Sequence, residues 1–311
     1  MAYAFLDSRA IVGRFYQAYE EELGGIWANK VGWLNSDANQ ETEIYRWLGQ
    51  VPALREWVGG RLLTQLEKHS FSITSAPYEA SIPVNVEDLA RDKTGQIMIR
   101  VGDLARKTAD HWNKLITALI TSNGTCYDGL SFFNSNHAIG SSAGVDNLLV
   151  AADVPALNVT TANSPTQTEM VRVIIGIIEK MLGYTDDQGE PMNGGARQFA
   201  IMVPVNMLGA SLAAARSERL DNGQSNLLLA QDFNIEVIPN PRLTTDTELY
   251  AFRTDTAVKS FILQEELGPT TQIVGAGSEH EFKNNEHLFG VKAVRAAGYG
   301  LFQHAAKATL S

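Results

Sequence analysis

Between residues 7 and 23 apolar side chains recur every three to four positions. Ile11, Phe15 and Tyr19 form one ridge, with Ala18 and Glu22 in the same period. This spacing predicts an amphipathic helix that Gly24-Gly25 ends. The longest such pattern covers 96 to 122, where Ile97, Val101, Leu104, Ala105, Thr108, Trp112, Leu115, Ile116 and Leu119 keep the helical period and Asn123-Gly124 stops it. A third helix is predicted over 165 to 182, with Ser164 as N-cap, Pro165 in the first turn and Gln167 completing a capping box. Its stripe of Met170, Val173, Ile174, Ile177, Ile178 and Met181 reads as core and not as the lining of a cofactor site.

Elsewhere the period is two. In KHSFSITSAPYEASIPV (68 to 84), Phe71 and Ile73, then Tyr78, Ala80, Ile82 and Val84, alternate with Ser70, Ser72, Thr74, Glu79 and Ser81. With Ser75-Ala76-Pro77 between the two runs, this predicts a long antiparallel hairpin, marginal without a packing partner. From 197 onward strand-like runs (RQFAIMV, FNIEVIP, ELYAFRT, SFILQ) alternate with a helix over 205 to 217. The tail, EHLFGVKAVRAAGYGLFQHAAKA, predicts two strands hinged at Ala297-Gly298. Residues 185 to 195 and 217 to 226 are turn-rich. Four of the five tryptophans, Trp27, Trp33, Trp47 and Trp57, lie in an arm with little regular pattern, which implies that a partner surface helps to cover them.

Composition narrows the class. The chain of 311 residues is long enough for a large core and two domains, with 44% hydrophobic and 19% charged residues. No apolar run has the length of a membrane span, and the first residues lack the apolar stretch of a secretory signal. A net charge of −10 argues against a protein whose main task is gripping phosphates.

The candidate chemistry is thin. Gly140-Ser141-Ser142-Ala143-Gly144 fits G-x-S-x-G, but neither flank supplies the strand and helix that a nucleophile elbow needs. Cys126, the only cysteine, is eleven residues before His137, yet it follows a helix end, where the dipole disfavours a thiolate. His280 and His287 are seven apart, not the four that H-E-x-x-H requires. Asn123 and Asn158 begin glycosylation sequons in form only. No catalytic residue, cofactor site or metal site is assigned. An arm and a thin hairpin that both ask for neighbours suggest an assembly subunit.

Five stretches carry a resemblance: WLGQVPALREWVGGR (47 to 61), FSITSAPYEASIPV (71 to 84), EDLARDKTG (87 to 95), CYDGLSFFNSNH (126 to 137) and LFGVKAVRAAGYGLFQHA (288 to 305). In this order they make the chain similar to the major head (capsid) subunits of Mu-like tailed phages, coat proteins of the Hong Kong 97 (HK-97) type. The resemblance implies an α+β fold with an N-terminal arm (1 to 56), an extended hairpin loop (57 to 88), a peripheral domain joining a long spine helix (89 to 123) to residues 255 to 311, and an axial domain (124 to 254). It makes the 126 to 137 stretch structural, with the tyrosine, the paired phenylalanines and His137 pinning the loop, and makes residues 140 to 164 longer than the family's usual short turn. Inter-subunit contacts are expected from Trp27, Trp33, Trp47, Trp57, Arg61, Phe71, Tyr78 and Glu79.

As partners, the resemblance implies further copies of the chain in pentamers and hexamers, portal, scaffold and decoration proteins of the head, and packaged double-stranded DNA held weakly. No membrane is implied. The product is a virion shell assembled in the host cytoplasm. Some relatives weld their shells with a lysine–asparagine bond, but Lys68, near the base of the hairpin, reads as a solvated charge. The 56 residues before the hairpin leave no room for a large cleaved segment, so none is expected. Two alternatives stand beside this reading: an encapsulin-type nanocompartment shell of the same fold, and a hydrolase using Cys126 or Ser142.

Overall fold

A computed structural model describes residues 8–38, 40–45, 71–91, 95–137, 144–185, 189–229 and 233–311. In chain order the elements are α1 (Ser8–Leu23), α2 (Ala28–Val31), β1 (Gly32–Asn35), β2 (Thr42–Tyr45), β3 (Phe71–Thr74), β4 (Ala76–Asn85), α3 (Val86–Arg91) and α4 (Gln96–Ser122). Next come β5 (Leu148–Leu149), α5 (Gln167–Leu182), β6 (Gln198–Val203), α6 (Leu208–Arg216), β7 (Asn234–Pro239) and β8 (Glu248–Arg253). The chain ends with β9 (Phe261–Val274), α7 (Glu279–Asn284), β10 (Glu286–Tyr299) and β11 (Ala305–Thr309).

The strands form two main sheets. The first has the order β1-β9-β10-β4 and is built on the antiparallel β9–β10 pair, with β1 parallel to β9 and β4 antiparallel to β10. The second has the order β5-β11-β8-β6-β7. In β6 the run Phe199 to Val203 is buried throughout, as expected of a strand with a neighbour on each side and cover on both faces. The chain passes from the first sheet to the second at Gly300–His304, so the end of the expected peripheral segment 255 to 311 joins the second sheet as β11.

The long helix lies against the first sheet, with α1 beside it. Ile97, Val101, Ala105, Trp112 and Ile116 are buried as their spacing requires. The buried face is completed by Ala109, Asn113, Thr117 and Ile120, while Leu104, Thr108, Leu115 and Leu119 flank it half-buried. Asn123 stops the helix by adopting a left-handed conformation (φ 45°), which asparagine tolerates better than most residues. On α5 all six residues of the expected stripe are buried. Gly176 on the same helix meets Val154 so closely that an added Cβ would lie 2.7 Å from a Val154 methyl.

Four expectations are corrected. First, within the hairpin expected over 68 to 84, residues 71 to 84 do not pair with one another. β3 pairs with β2, and β4 pairs along its full length with β10, from Asn85 opposite Glu286 to Ala76 opposite Arg295. The alternation was real, but the partners are distant in sequence, and Ser75 marks a change of partner and not a reversal. The rest of the expected loop, 57 to 70, lies outside the described residues.

Second, the N-cap of α5 is Thr166, with Glu169 closing the capping box. Gln167 instead donates through Nε2 to the carbonyls of Ala213 and Arg219. Third, β10 runs straight through Ala297-Gly298. Gly298 is there for close approach: a Cβ would lie 2.3 Å from Ile73 Cδ1. Fourth, β9 extends far beyond SFILQ. Gly268-Pro269 would end most strands, but the register slips from Thr270↔Lys292 to Leu267↔Val294, and that bulge absorbs the pair.

Gly298→Ala is expected to destabilise the chain by about 1–3 kcal/mol through overpacking against Ile73. Adding Ile73→Ala should recover part of the loss. Urea unfolding of the two single variants and the double variant checks this, and an unperturbed Gly298→Ala midpoint would contradict it.

Candidate inter-subunit surfaces

The loop after α4 is held by side chains whose polar atoms are turned inward. Asn123 accepts from Phe133 N at 2.7 Å and donates to Phe133 O at 3.0 Å. Asn147 accepts from Asn134 N at 2.8 Å and donates to the carbonyls of Phe132 and Phe302. Phe132 and Phe133 are fully buried, and Phe132 stacks on Tyr299 with ring centroids 4.9 Å apart. Tyr127 stacks on Phe302, and its hydroxyl accepts from Gln303 Nε2 at 2.8 Å.

His137 is fully buried. Its ring lies parallel to Phe302 at 3.8 Å, with Nδ1 2.5 Å from Asp128 Oδ2 and Nε2 3.0 Å from Phe132 O. Burial alone would raise the Asp128 carboxyl, but the hydrogen bonds from His137 and Leu130 N outweigh it and hold the group below its ordinary range. Both His137 nitrogens are thus engaged, and neither bonds Cys126. The Cys126 thiol is buried, faces Gly300 O at 3.8 Å, and is pushed up to about 12, chiefly by burial. Ser142 lies outside the described residues. His287 bonds Glu281 at 3.1 Å, and among the described residues no group of His, Cys, Asp and Glu side chains could hold a metal ion.

A second tie lies on the first sheet. Tyr45 and Phe71 are cross-strand partners, so the two ends of the 46 to 70 stretch lie side by side. Gln264, fully buried on β9, anchors that pairing. It accepts from Tyr45 Oη at 3.0 Å and donates to Ser75 Oγ at 2.8 Å and to Ile73 O at 3.3 Å.

The residues expected to meet neighbours are spread over the molecule. Trp27 is half-buried against the main core. Trp33 is half-buried on β1, edge-on to Tyr45 at 6.5 Å. Phe71 is half-buried, Tyr78 is 37% exposed, and Glu79 is exposed on β4. Trp47, Trp57 and Arg61 lie outside the described residues. β4 is an outer strand of its sheet and carries Pro77, Pro83 and Glu79, residues that discourage indiscriminate edge pairing.

The sequence reading missed Gln264 and two exposed apolar residues, Leu227 (64%) and Phe282 (92%). Phe282 had a signal, being a lone aromatic in the polar run SEHEFKNNEH. Gln264 had none, because its value depends on a strand pairing remote in sequence.

A family model described as "Mu-like prophage major head subunit gpT" matches residues 9–160 and 234–311, leaving out a stretch that holds α5, β6 and α6. The Mu-like prophage FluMu major head subunit of Haemophilus influenzae is 29% identical over 127 residues, covering 40% of this chain and 41% of that protein. The major capsid protein of Escherichia phage Mu is 33% identical over 114 residues, covering 36% and 37%. The aligned part thus spans about two-fifths of the length of these relatives.

Among solved structures, a chain of the bacteriophage JBD30 procapsid superposes with TM-score 0.54 at 19% identity, covering 97% of this chain and 75% of that one. The bacteriophage PhiM1 mature capsid gives 0.55 at 10% identity, covering 92% and 87%. A virus-like particle from Pyrococcus furiosus gives 0.51 at 8% identity, covering 95% and 98%. These likenesses establish a fold of the HK-97 capsid type.

Asp128 stabilises the loop only while ionised. Its contribution is present above the unfolded pKa, near 3.8, and is lost as pH falls through the lower folded value. The stability gap between the wild type and Asp128→Asn should therefore be widest near neutral pH and close below about pH 4. Urea midpoints across that range test it; a gap independent of pH would contradict it. Native Cys126 should resist maleimide at pH 8 and label only on unfolding, whereas rapid native labelling would show an accessible thiol.

Proposed function

The chain belongs to the Mu-like prophage major head subunit gpT family, and from that premise we propose that it is the major capsid protein of a tailed phage. Copies of it, arranged as hexamers and pentamers, build the icosahedral shell that encloses the double-stranded DNA genome. The observation that carries this is the family match on both sides of residues 161–233, joined to a fold shared with phage capsid chains.

The family pattern assigns an arm to 1 to 56, an extended loop to 57 to 88, a peripheral domain to 89 to 123 with 255 to 311, and an axial domain to 124 to 254; within it, β4 of the loop stretch belongs to the first sheet and β11 of the last stretch to the second. The pairing of Tyr45 with Phe71, held by Gln264, supports giving the neighbour-reaching role to the stretch between them. Trp27, Trp33, Trp47, Trp57, Arg61, Phe71, Tyr78 and Glu79 are proposed contacts between copies. Portal, scaffold and decoration proteins complete the head, and assembly takes place in the host cytoplasm. The net charge of −10 suits a shell that holds its genome without gripping it.

An encapsulin-type shell shares this fold, and fold alone does not divide the two; the family match favours the phage head. The hydrolase reading loses its support with a buried, protonated Cys126 that does not meet His137.

Electron microscopy of the purified protein, alone or co-expressed with the scaffold of its own phage, should show closed shells. Cys126→Ser should assemble at near wild-type yield. A protein that forms no particles under either condition would overturn the proposal, as would a hydrolytic activity abolished by Cys126→Ser.

A further inference from the structure

Phe282 is 92% exposed at the tip that joins β9 to β10. A phenylalanine held that far into water has no stabilising role in its own chain. On α7 it shares a helical face with Glu279 and Lys283, which pair with each other, while Glu281 is taken up by His287 and Gly277 N.

A matching cavity lies elsewhere on the subunit. Between α4 and the β4–β10 edge is a cleft of about 140 Å³, lined by apolar atoms of Tyr78, Leu104, Val291 and Ala293. A cavity of about 150 Å³ is the size that admits a benzene ring. Lys107 stands on one wall and Glu79 on the other. At the base lies Arg295, 1% exposed, its guanidinium 4.8 Å over Trp112 and its Nη1 donating to Thr108 O at 3.3 Å. Arg295 Nε and the adjoining His111 Nδ1 have no hydrogen-bond partner. The cleft is therefore apolar inside, with positive charge beneath it and one charge of each sign at its mouth.

We propose that this cleft receives Phe282 from a second copy of the chain. The ring fills the apolar interior. Glu279 and Lys283 exchange their mutual pair for Lys107 and Glu79 across the contact. The tip cannot serve its own cleft, because Val291 lies roughly 17 Å along β10 from the strand start beside α7. Tip and cleft are different surfaces, so the contact is heterologous and passes from copy to copy around a closed assembly. One phenylalanine buries about 150–250 Å², well short of the roughly 1,000 Å² of a stable interface. The contact therefore leaves free subunits monomeric and acts only among the other contacts of a shell. The inference rests on the reading of the chain as a shell subunit.

The test pairs Phe282→Cys with Lys107→Cys in the full chain, with Cys126, buried, as a silent background. Assembled particles are treated with a short bis-maleimide and run on a denaturing gel. Interchain ladders should form only when both cysteines are present. Independently, Phe282→Ala should raise the concentration needed for assembly roughly tenfold, as loss of an interface anchor does, with an unchanged circular dichroism spectrum. Lys107→Glu should weaken assembly, and adding Glu279→Lys should restore it. Normal particles without ladders, or a Phe282→Ala variant that assembles like the wild type, overturn this inference and leave the shell reading intact. If the wild type forms no particles, the shell reading falls and this inference falls with it. If the double-cysteine variant fails to assemble, the Phe282→Ala measurement decides.

Discussion

The hydroxyl of Tyr299 accepts from Gly124 N at 2.6 Å and donates to Leu119 O at 2.8 Å. It thereby ties the end of the long helix to the last residue of β10. The Leu119 carbonyl also takes the Asn123 N–H at 3.0 Å, so the tyrosine adds a further donor to the last turn and takes up the Gly124 N–H beyond the helix. The Tyr299 ring stacks on Phe132, Phe132 packs on Phe261, and Phe302, just past the crossover, stacks on His137. One aromatic cluster thus joins the end of α4, the loop after it, the end of β10 and the passage from one sheet to the other. Buried aromatic groups supply much area with few torsions to order, which suits a joint that must hold two sheets in fixed relation.

That joint explains why the residues that first suggest catalysis are structural. Cys126 and His137 sit inside it, one a small buried apolar group and the other a ring engaged at both nitrogens. The outward features are of another kind: a strand edge, the short β2–β3 pair, half-buried tryptophans and an exposed aromatic tip. A subunit that must be rigid at its centre and incomplete at its rim meets the physical demand of a shell, in which each copy finishes the surface of the next.

Much of this was legible in the sequence. The three helices follow from their period, and Asn123-Gly124 marked the end of α4 because asparagine and glycine accept the left-handed conformation found there. The structural role of the 126 to 137 loop came from the family resemblance. Period-two alternation identified β3 and β4 as strands but carried no information about partners, so a hairpin was expected where two distant pairings exist. Glycine misled at Gly298, where the demand was for close approach to Ile73. Thr166 took the cap from Ser164 because Glu169 lies three residues after Thr166, where it accepts from both Thr166 and Thr160. Gln264 and the cleft beneath α4 were invisible, since each is made by elements that meet only in the fold.

Hydrogen exchange on free subunits and on assembled particles tests the central claim directly. Residues 124 to 137 and 288 to 305 should be equally protected in both states, because the joint is complete within one chain. The β4 amides that face away from β10, and those of the tip around Phe282, should gain protection only on assembly. A joint that becomes protected only in particles, or a rim as protected in the free subunit as in the shell, would contradict the account.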